Sequence, residues 1–317
     1  MITNVVNVAN QRNVVSIPTA DGGAIEAWVY MPSGEGPHPA VVLAHGMGAI
    51  KACGLAPFAE RFCQAGFVAI AIDYRHWGGS SGEPRDILFY SKQREDCRTA
   101  IDWAAANPRI DSERIFLWGV SFAGMHVVEI AASDARLSGA IAQCPLVDSV
   151  AGAGTVPVLH VMRLSGLALW DKVRSLFGAF PIYVPLSVPP GEWGMLASDD
   201  AYYSKKLVEP KDGTVWGNRL AARSLLTYLG ARPVKKAAAI RCPILLIIGE
   251  QDFTVPAEAI KQVAASAPES ELHFVPGGHS DGFAGGIAHD HVLALQVDFL
   301  QRHANKSMDR AKKCSCP

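Results

Sequence analysis

The sequence predicts an α/β chain: a mostly parallel, doubly wound sheet with a helical insertion. Three observations predict it. Short runs that are apolar throughout, such as residues 40–44 and 243–249, read as strands buried on both faces. They alternate with longer helix-period segments that stop at Gly or at Asn-Pro. The alternation breaks between residues 148 and 236, where no buried strand is legible, and then resumes.

The elements follow in order. Residues 14–19 read as a strand, Asp21-Gly22-Gly23 as a hairpin turn, and residues 24–31 as the partner strand, with Ile25, Ala27 and Val29 alternating against Glu26 and Trp28. Residues 32–39 form a Gly/Pro-rich loop. The strand at 40–44 leads into His45-Gly46-Met47-Gly48. A helix is expected over 55–65, ended by Gly66, then a strand over 67–72 running into Asp73-Tyr74-Arg75. A long helix spans 89–106 and stops at Asn107-Pro108. Next come a strand through Ile115, a cramped turn at Ser121, a helix to about Ala132, and a strand over 140–143. Beyond the insertion lie a strand at 243–249, a helix at 258–265, a strand at 271–275 and a last helix from Ile287 to about His303. Two hairpin strands followed by repeated β-α units imply helices on both faces of the sheet. The organisation expected is a core from 1–147 and 237–305, a mostly helical insertion at 148–236 and a tail at 306–317. The aromatic residues of the insertion read as core.

Bulk properties exclude several classes. Lys plus Arg is 29 and Asp plus Glu is 30, which leaves no electrostatic footprint for nucleic acid. Seven cysteines, an odd number without C-x-x-C pairs, point to free thiols in a reducing, cytoplasmic setting rather than a disulfide framework or a zinc site. Residues 1–4 do not open a secretory signal, and no stretch has the length of a membrane span. Cys314 lies four from the end, but its neighbours do not make a prenylation box, and a frayed tail is expected.

The chemistry gathers at strand ends, where open α/β sheets place reactive groups. Ser121 follows the 115–118 strand on a strand–turn–helix corner, with Gly119 and Ala123 two residues to either side and Gly124 next. Gly78-Gly79-Ser80-Ser81-Gly82 is a better literal match to G-x-S-x-G, but Glu83-Pro84-Arg85-Asp86 after it opens no apolar helix. Glu250-Gln251-Asp252 follows the 243–249 strand, and Gly277-Gly278-His279 follows the 271–275 strand. A serine hydroxyl needs a base to attack at neutral pH. His279 can accept its proton and Asp252 can orient the imidazole. The oxyanion needs preorganised N–H donors. Phe122, at a helix start, offers one, and Met47, between glycines, offers the second. Glu250 and Asp148 stay open as the acid, and His289 and His291 as the base. His45 reads as shaping the oxyanion loop. His76, His126 and His273 read as ordinary histidines, although Arg75 or His76 is placed to touch substrate. No His/Asp/Glu cluster has metal-ligand spacing.

These segments resemble the α/β-hydrolase superfamily over nearly the full chain, and within it the dienelactone-hydrolase-related branch that includes polyketide transferase-like and thiohydrolase-like proteins. The matching residues are His45-Gly46-Met47-Gly48, Asp73-Tyr74-Arg75 with the 78–82 loop, Gly119-Val120-Ser121-Phe122-Ala123-Gly124, Gly249-Glu250-Gln251-Asp252 and Gly278-His279, with Ser, Asp and His in the superfamily's order. Ala123 departs from the pattern, which has Gly there. The resemblance implies that Ser121, Asp252 and His279 form a catalytic triad, that Met47 and Phe122 supply oxyanion donors, and that the insertion is a lid.

The function expected is hydrolysis of an ester or thioester through an acyl-enzyme. A small-molecule substrate with a hydrophobic or aromatic acyl group is expected, because pockets under an apolar lid are mostly apolar. Acyl transfer or cyclisation by the same nucleophile, amide hydrolysis, and a non-catalytic hydrolase-fold binding protein are the alternatives. No cofactor and no metal are expected. An apolar lid can double as a homodimer contact.

Overall fold

The computed structural model describes residues 12–314, so the readings of residues 1–4 and of 315–317 lie outside the described residues. Six strands precede the insertion: β1 (Arg12–Pro18), β2 (Ala24–Tyr30), β3 (His38–Ala44), β4 (Val68–Ile72), β5 (Ile110–Val120) and β6 (Leu137–Gln143). Helices α1 (Ala56–Gln64), α2 (Tyr90–Ala106) and α3 (Ala123–Ala131) connect the later ones. The insertion holds α4 (Ser149–Ala153), α5 (Val158–Ser175), β7 (Tyr183–Pro185), β8 (Ser187–Val188), β9 (Leu196–Ala197), α6 (Asp199–Val208), β10 (Arg219–Ala221) and α7 (Leu225–Tyr228). The chain closes with β11 (Ile244–Gly249), α8 (Ala257–Ser266), β12 (Ser270–Val275) and α9 (His289–Cys314).

Eight strands form one sheet in the order β1-β2-β4-β3-β5-β6-β11-β12. The β1–β2 and β2–β4 pairs are antiparallel; the rest are parallel. The apolar runs divide by alternation. On β3, Ala40, Val42 and Ala44 pack into one layer with α2 and α3, while Val41 and Leu43 pack into the other with Phe58, Phe62 and Phe299. This is why a run with no polar residue makes a strand here: both faces of the sheet are covered. From β3 the chain steps to β4 on one side and then to β5 on the other. The crevice at that reversal lies above the carboxyl ends of β3 and β5, where such sheets bind ligands.

The structure differs from the sequence reading in two places. The insertion contains four short strands, β7 pairing with β10 and β8 with β9. Each has only two or three residues, too few for alternation to show. The last helix runs on to Cys314 rather than stopping near His303. Residues 304–314 are rich in Ala, Lys and Arg and hold no Gly or Pro, so nothing local stops it.

One ion pair ties the insertion together. Asp171 of α5 is fully buried, and its carboxylate accepts from the Arg223 backbone N–H and guanidinium at 2.9 Å and from the Ile182 N–H at 2.8 Å. Asp171→Ala strands the Arg223 charge and is expected to destabilise the protein by about 3 kcal/mol, read from urea unfolding. The outer side of α5 and the turn after it expose Leu159, Met162, Leu169, Trp170, Leu176 and Phe177, the apolar surface on which the homodimer expectation rests. Among the described residues no helix is long and apolar enough to cross a membrane.

Candidate active site

Ser121 sits between β5 and α3 with φ of 55°, a left-handed conformation that costs energy for a residue with a Cβ. The surroundings hold it there. Its N–H donates to the Gln143 carbonyl at 2.9 Å, and its own carbonyl accepts from the Gly124 and Leu146 N–H groups, each at 2.9 Å. The small neighbours are required by contact. A Cβ on Gly119 would meet Val127 Cγ2 at 2.7 Å and Ala123 Cβ at 3.0 Å, and one on Gly46 would meet Ser121 Cβ at 3.2 Å. Ala123 opens α3 in a right-handed helix, so its methyl group is tolerated where the family pattern has Gly.

Folding brings Ser121, Asp252 and His279 together. His279 follows β12 on the Gly277-Gly278 turn, where Gly277 has φ of 91°. Its Nε2 lies 2.9 Å from Ser121 Oγ and its Nδ1 lies 2.8 Å from Asp252 Oδ2. The other Asp252 oxygen accepts from the N–H groups of Thr254 at 2.9 Å and Val255 at 3.2 Å. Only 7% of His279 and 8% of Asp252 are exposed. Burial pushes the Asp252 carboxyl upward, but the His279 ring and the two N–H donors outweigh it and hold it below its ordinary value. Burial pushes His279 down, but the Asp252 charge and hydrogen bond prevail and raise it. A charged Asp252 can only accept, so Nδ1 carries the hydrogen and the Nε2 lone pair faces the serine hydroxyl. The arrangement can therefore pass a proton from Ser121 to His279 and stabilise the cation that forms.

Met47, Ser121 and Phe122 line one cavity, and among the described residues no acceptor is found for the backbone N–H of Met47 or of Phe122. The loop carrying Met47 is fixed from three sides. The Tyr74 hydroxyl donates to the His45 carbonyl at 3.2 Å, the Ala49 N–H to the Gly46 carbonyl at 3.4 Å, and the Trp216 indole N–H to the Gly48 carbonyl at 2.7 Å. His45 itself is buried behind this loop, and burial lowers it to about 4, so it stays neutral.

The alternatives fall elsewhere. Ser80 Oγ donates to the Asp73 carbonyl and accepts from the Glu26 N–H, both at 2.7 Å, so this better literal match is a structural serine. Glu250 is exposed. Asp148 caps α4 and pairs with Arg232 at 2.7 Å. His289 hydrogen-bonds the Gly282 carbonyl, and His291 is exposed. Arg75 is buried among Asp96, Asp21 and Glu95, and the His76 ring meets the Pro84 carbonyl; neither lines a cavity at Ser121.

Two neighbours of the triad escape sequence reading. Asp200, from α6 of the insertion, accepts from the His279 N–H at 3.3 Å and from the Thr254 hydroxyl at 2.6 Å, and its charge helps raise His279. In the sequence it reads only as an acidic residue favouring a helix start. Cys144, after β6, is buried, and burial keeps its thiol neutral. Its sulfur lies with ligand atoms of Asp252 and His279 inside 4.8 Å, a cluster that spacing along the chain does not reveal. Asp252 and His279 are hydrogen-bonded to each other there.

Two cavities open onto Ser121. The larger, about 150 Å³, runs under α4, α5 and α7 and is lined mainly by apolar residues, among them Leu146, Val161, Leu164 and Leu225. The smaller, about 90 Å³, is lined by His279, Trp216, Ser204 and Lys205. Tyr228 lines the larger cavity and Trp216 the smaller, so these two aromatic residues of the insertion, which pack in or against the core as expected, also form cavity wall.

Comparison with known proteins agrees with this geometry. Residues 35–279 match the serine aminopeptidase S33 family. The quorum-quenching protein AidA of Acinetobacter baumannii is 35% identical over 276 residues, covering 87% of this chain and 90% of that one. The polyketide transferase grgF of a Penicillium species is 29% identical over 301 residues, covering 92% and 97%. Its crystal structure superposes with a TM-score of 0.80 over 93% of this chain and 100% of that one. The thiohydrolase aneE of Aspergillus aculeatus is 28% identical over 299 residues, covering 90% and 92%. The chain is a triad-bearing α/β-hydrolase that belongs to the serine aminopeptidase S33 family and is related to quorum-quenching and polyketide-tailoring, thiohydrolase-like α/β-hydrolases.

Proposed function

We propose that this protein hydrolyses an ester or thioester of a hydrophobic acyl group through an acyl-enzyme on Ser121. The observation that carries the reading is the continuous contact from Ser121 Oγ through the His279 ring to Asp252, at 2.9 and 2.8 Å. His279 takes the hydroxyl proton as Oγ attacks the acyl carbon, and the N–H groups of Met47 and Phe122 receive the oxyanion. The tetrahedral intermediate collapses, the bond to the alcohol or thiol breaks, and His279 returns its proton to the leaving oxygen or sulfur. Water then attacks the acyl-enzyme by the same route in reverse.

The two cavities divide the substrate. The leaving group must lie where His279 can protonate it, and the smaller cavity is the one that His279 lines. The larger cavity holds Ser121 and the oxyanion donors, lacks His279, and is apolar, which suits the acyl chain. A second reading, acyl transfer, is favoured by the likeness to the protein named polyketide transferase. In that case an acceptor alcohol, amine or carbanion replaces water in the smaller cavity. Intact mass after incubation with acyl thioesters tests both. A stable mass increase in wild type, absent in Ser121→Ala, is expected. Its release with water gives hydrolysis, and with an added acceptor gives transfer. No adduct and no Ser121-dependent turnover would overturn the proposal.

A further inference from the structure

The larger cavity contains a polar pair that its apolar lining leaves unused. Ser149, the first residue of α4, is only 7% exposed, and its Oγ has no hydrogen-bond partner. Its backbone N–H is committed to the Ala231 carbonyl at 2.9 Å, so the residue is anchored while its hydroxyl is free. Tyr228, at the end of α7, is also 7% exposed, and its ring stands edge-on to Phe122 with centroids 5.0 Å apart. Among the described residues no hydrogen bond reaches its hydroxyl. Both residues line the cavity that contains Ser121.

A buried hydroxyl without a partner is costly, and nearly all such groups in folded proteins are satisfied. An apolar chain filling this cavity would leave Ser149 Oγ unpaired and would cover the Tyr228 hydroxyl without pairing it. A chain bearing its own oxygen would remove that cost. Neither group takes part in the chemistry proposed for Ser121, and no protein group pairs with either hydroxyl among the described residues, so both are free to pair with an oxygen of the ligand.

We infer that Ser149, with Tyr228, is a specificity determinant that selects acyl chains carrying a keto or hydroxyl oxygen within the chain over plain hydrocarbon chains. This rests on the larger cavity being the acyl site, as proposed above. A serine or tyrosine hydroxyl both donates and accepts, so a keto oxygen or a hydroxyl group is equally well met. Discrimination then comes from pairing: an oxygenated chain satisfies Ser149 Oγ, whereas a plain chain leaves it as unpaired as before, which disfavours the plain chain relative to the oxygenated one.

The test uses N-acetylcysteamine thioesters of one medium chain length, either unsubstituted or with a single keto group moved stepwise along the chain. Wild type is expected to favour at least one keto position by about tenfold in kcat/KM, the size of one net hydrogen bond. Ser149→Ala, and separately Tyr228→Phe, bring that ratio toward unity. The ratio is taken within each variant, so a general loss of stability or rate does not mimic the effect, and the second variant serves if the first does not fold. A preference retained in both variants, or absent from wild type, overturns the inference. Calorimetry with Ser121→Ala, which needs no turnover, separates this inference from the proposed reaction. Tighter binding of the keto chain there, lost in the Ser149→Ala double variant, sustains the selectivity even if hydrolysis is not found. Ser121-dependent turnover without any keto preference leaves the reaction standing and removes the selectivity. Binding of neither chain removes both.

Discussion

Ser121→Ala is expected to lower kcat for an activated ester by about 10⁴- to 10⁶-fold. The oxyanion donors and the cavity survive the change, so a small residual rate over water remains. Fold stability is expected to change little. Alanine at φ of 55° is as constrained as serine, and the loss is confined to one hydroxyl that His279 contacts at 2.9 Å. Steady-state turnover of a p-nitrophenyl ester, together with labelling by a fluorophosphonate, measures it. Wild type should label stoichiometrically and the variant not at all. Comparable rates in the two proteins would remove Ser121 from the chemistry.

Asp252→Asn carries the second large effect and adds a pH signature. The amide cannot hold the tautomer in which Nδ1 donates, so kcat is expected to fall by about 10⁴-fold. Hydrolysis requires neutral His279 as the base, so the rate rises as pH climbs through the pKa of the ring. In the wild type Asp252 holds that pKa above the ordinary 6.5 against the opposing effect of burial. With asparagine the raising charge is gone and burial still lowers. The acid limb of the residual kcat/KM profile should therefore move to lower pH. Asp200 limits the size of the move, because its charge also raises His279 from the insertion side. An acid limb that stays in place would mean that Asp252 does not set the protonation of the base.

The reading of Ser121 shows what context adds to a motif. By letters alone the Gly78–Gly82 segment wins, and Ser80 is even buried. What separates the two serines is the element before and after: β5 and α3 enclose Ser121, whereas Ser80 lies in a loop and spends its hydroxyl on the backbone of β2 and of Asp73. The apolar runs of β3, β4 and β11 were legible for a similar reason. A strand covered on both faces has no solvent face to encode, so its sequence is unmistakably apolar. Strands β7 to β10 were not legible, because two or three residues carry no period, and their pairing is decided by partners up to thirty-odd positions away.

The sequence by itself determined the sheet, the order of its elements, the corner at Ser121 and the loops that carry Asp252 and His279. These depend on local patterns of apolarity, glycine and turn residues, which the chain states within a few positions. Only the tertiary structure decided which acid and base meet the serine, because Glu250 and Asp252 differ by two residues in sequence and wholly in burial. It alone brought Asp200 and Cys144 to the triad and left Ser149 Oγ unpaired beside the larger cavity at Ser121. Such relations join side chains from segments far apart along the chain. Their energies come from distance, charge and exclusion of water, and none of these exists until the whole chain has folded.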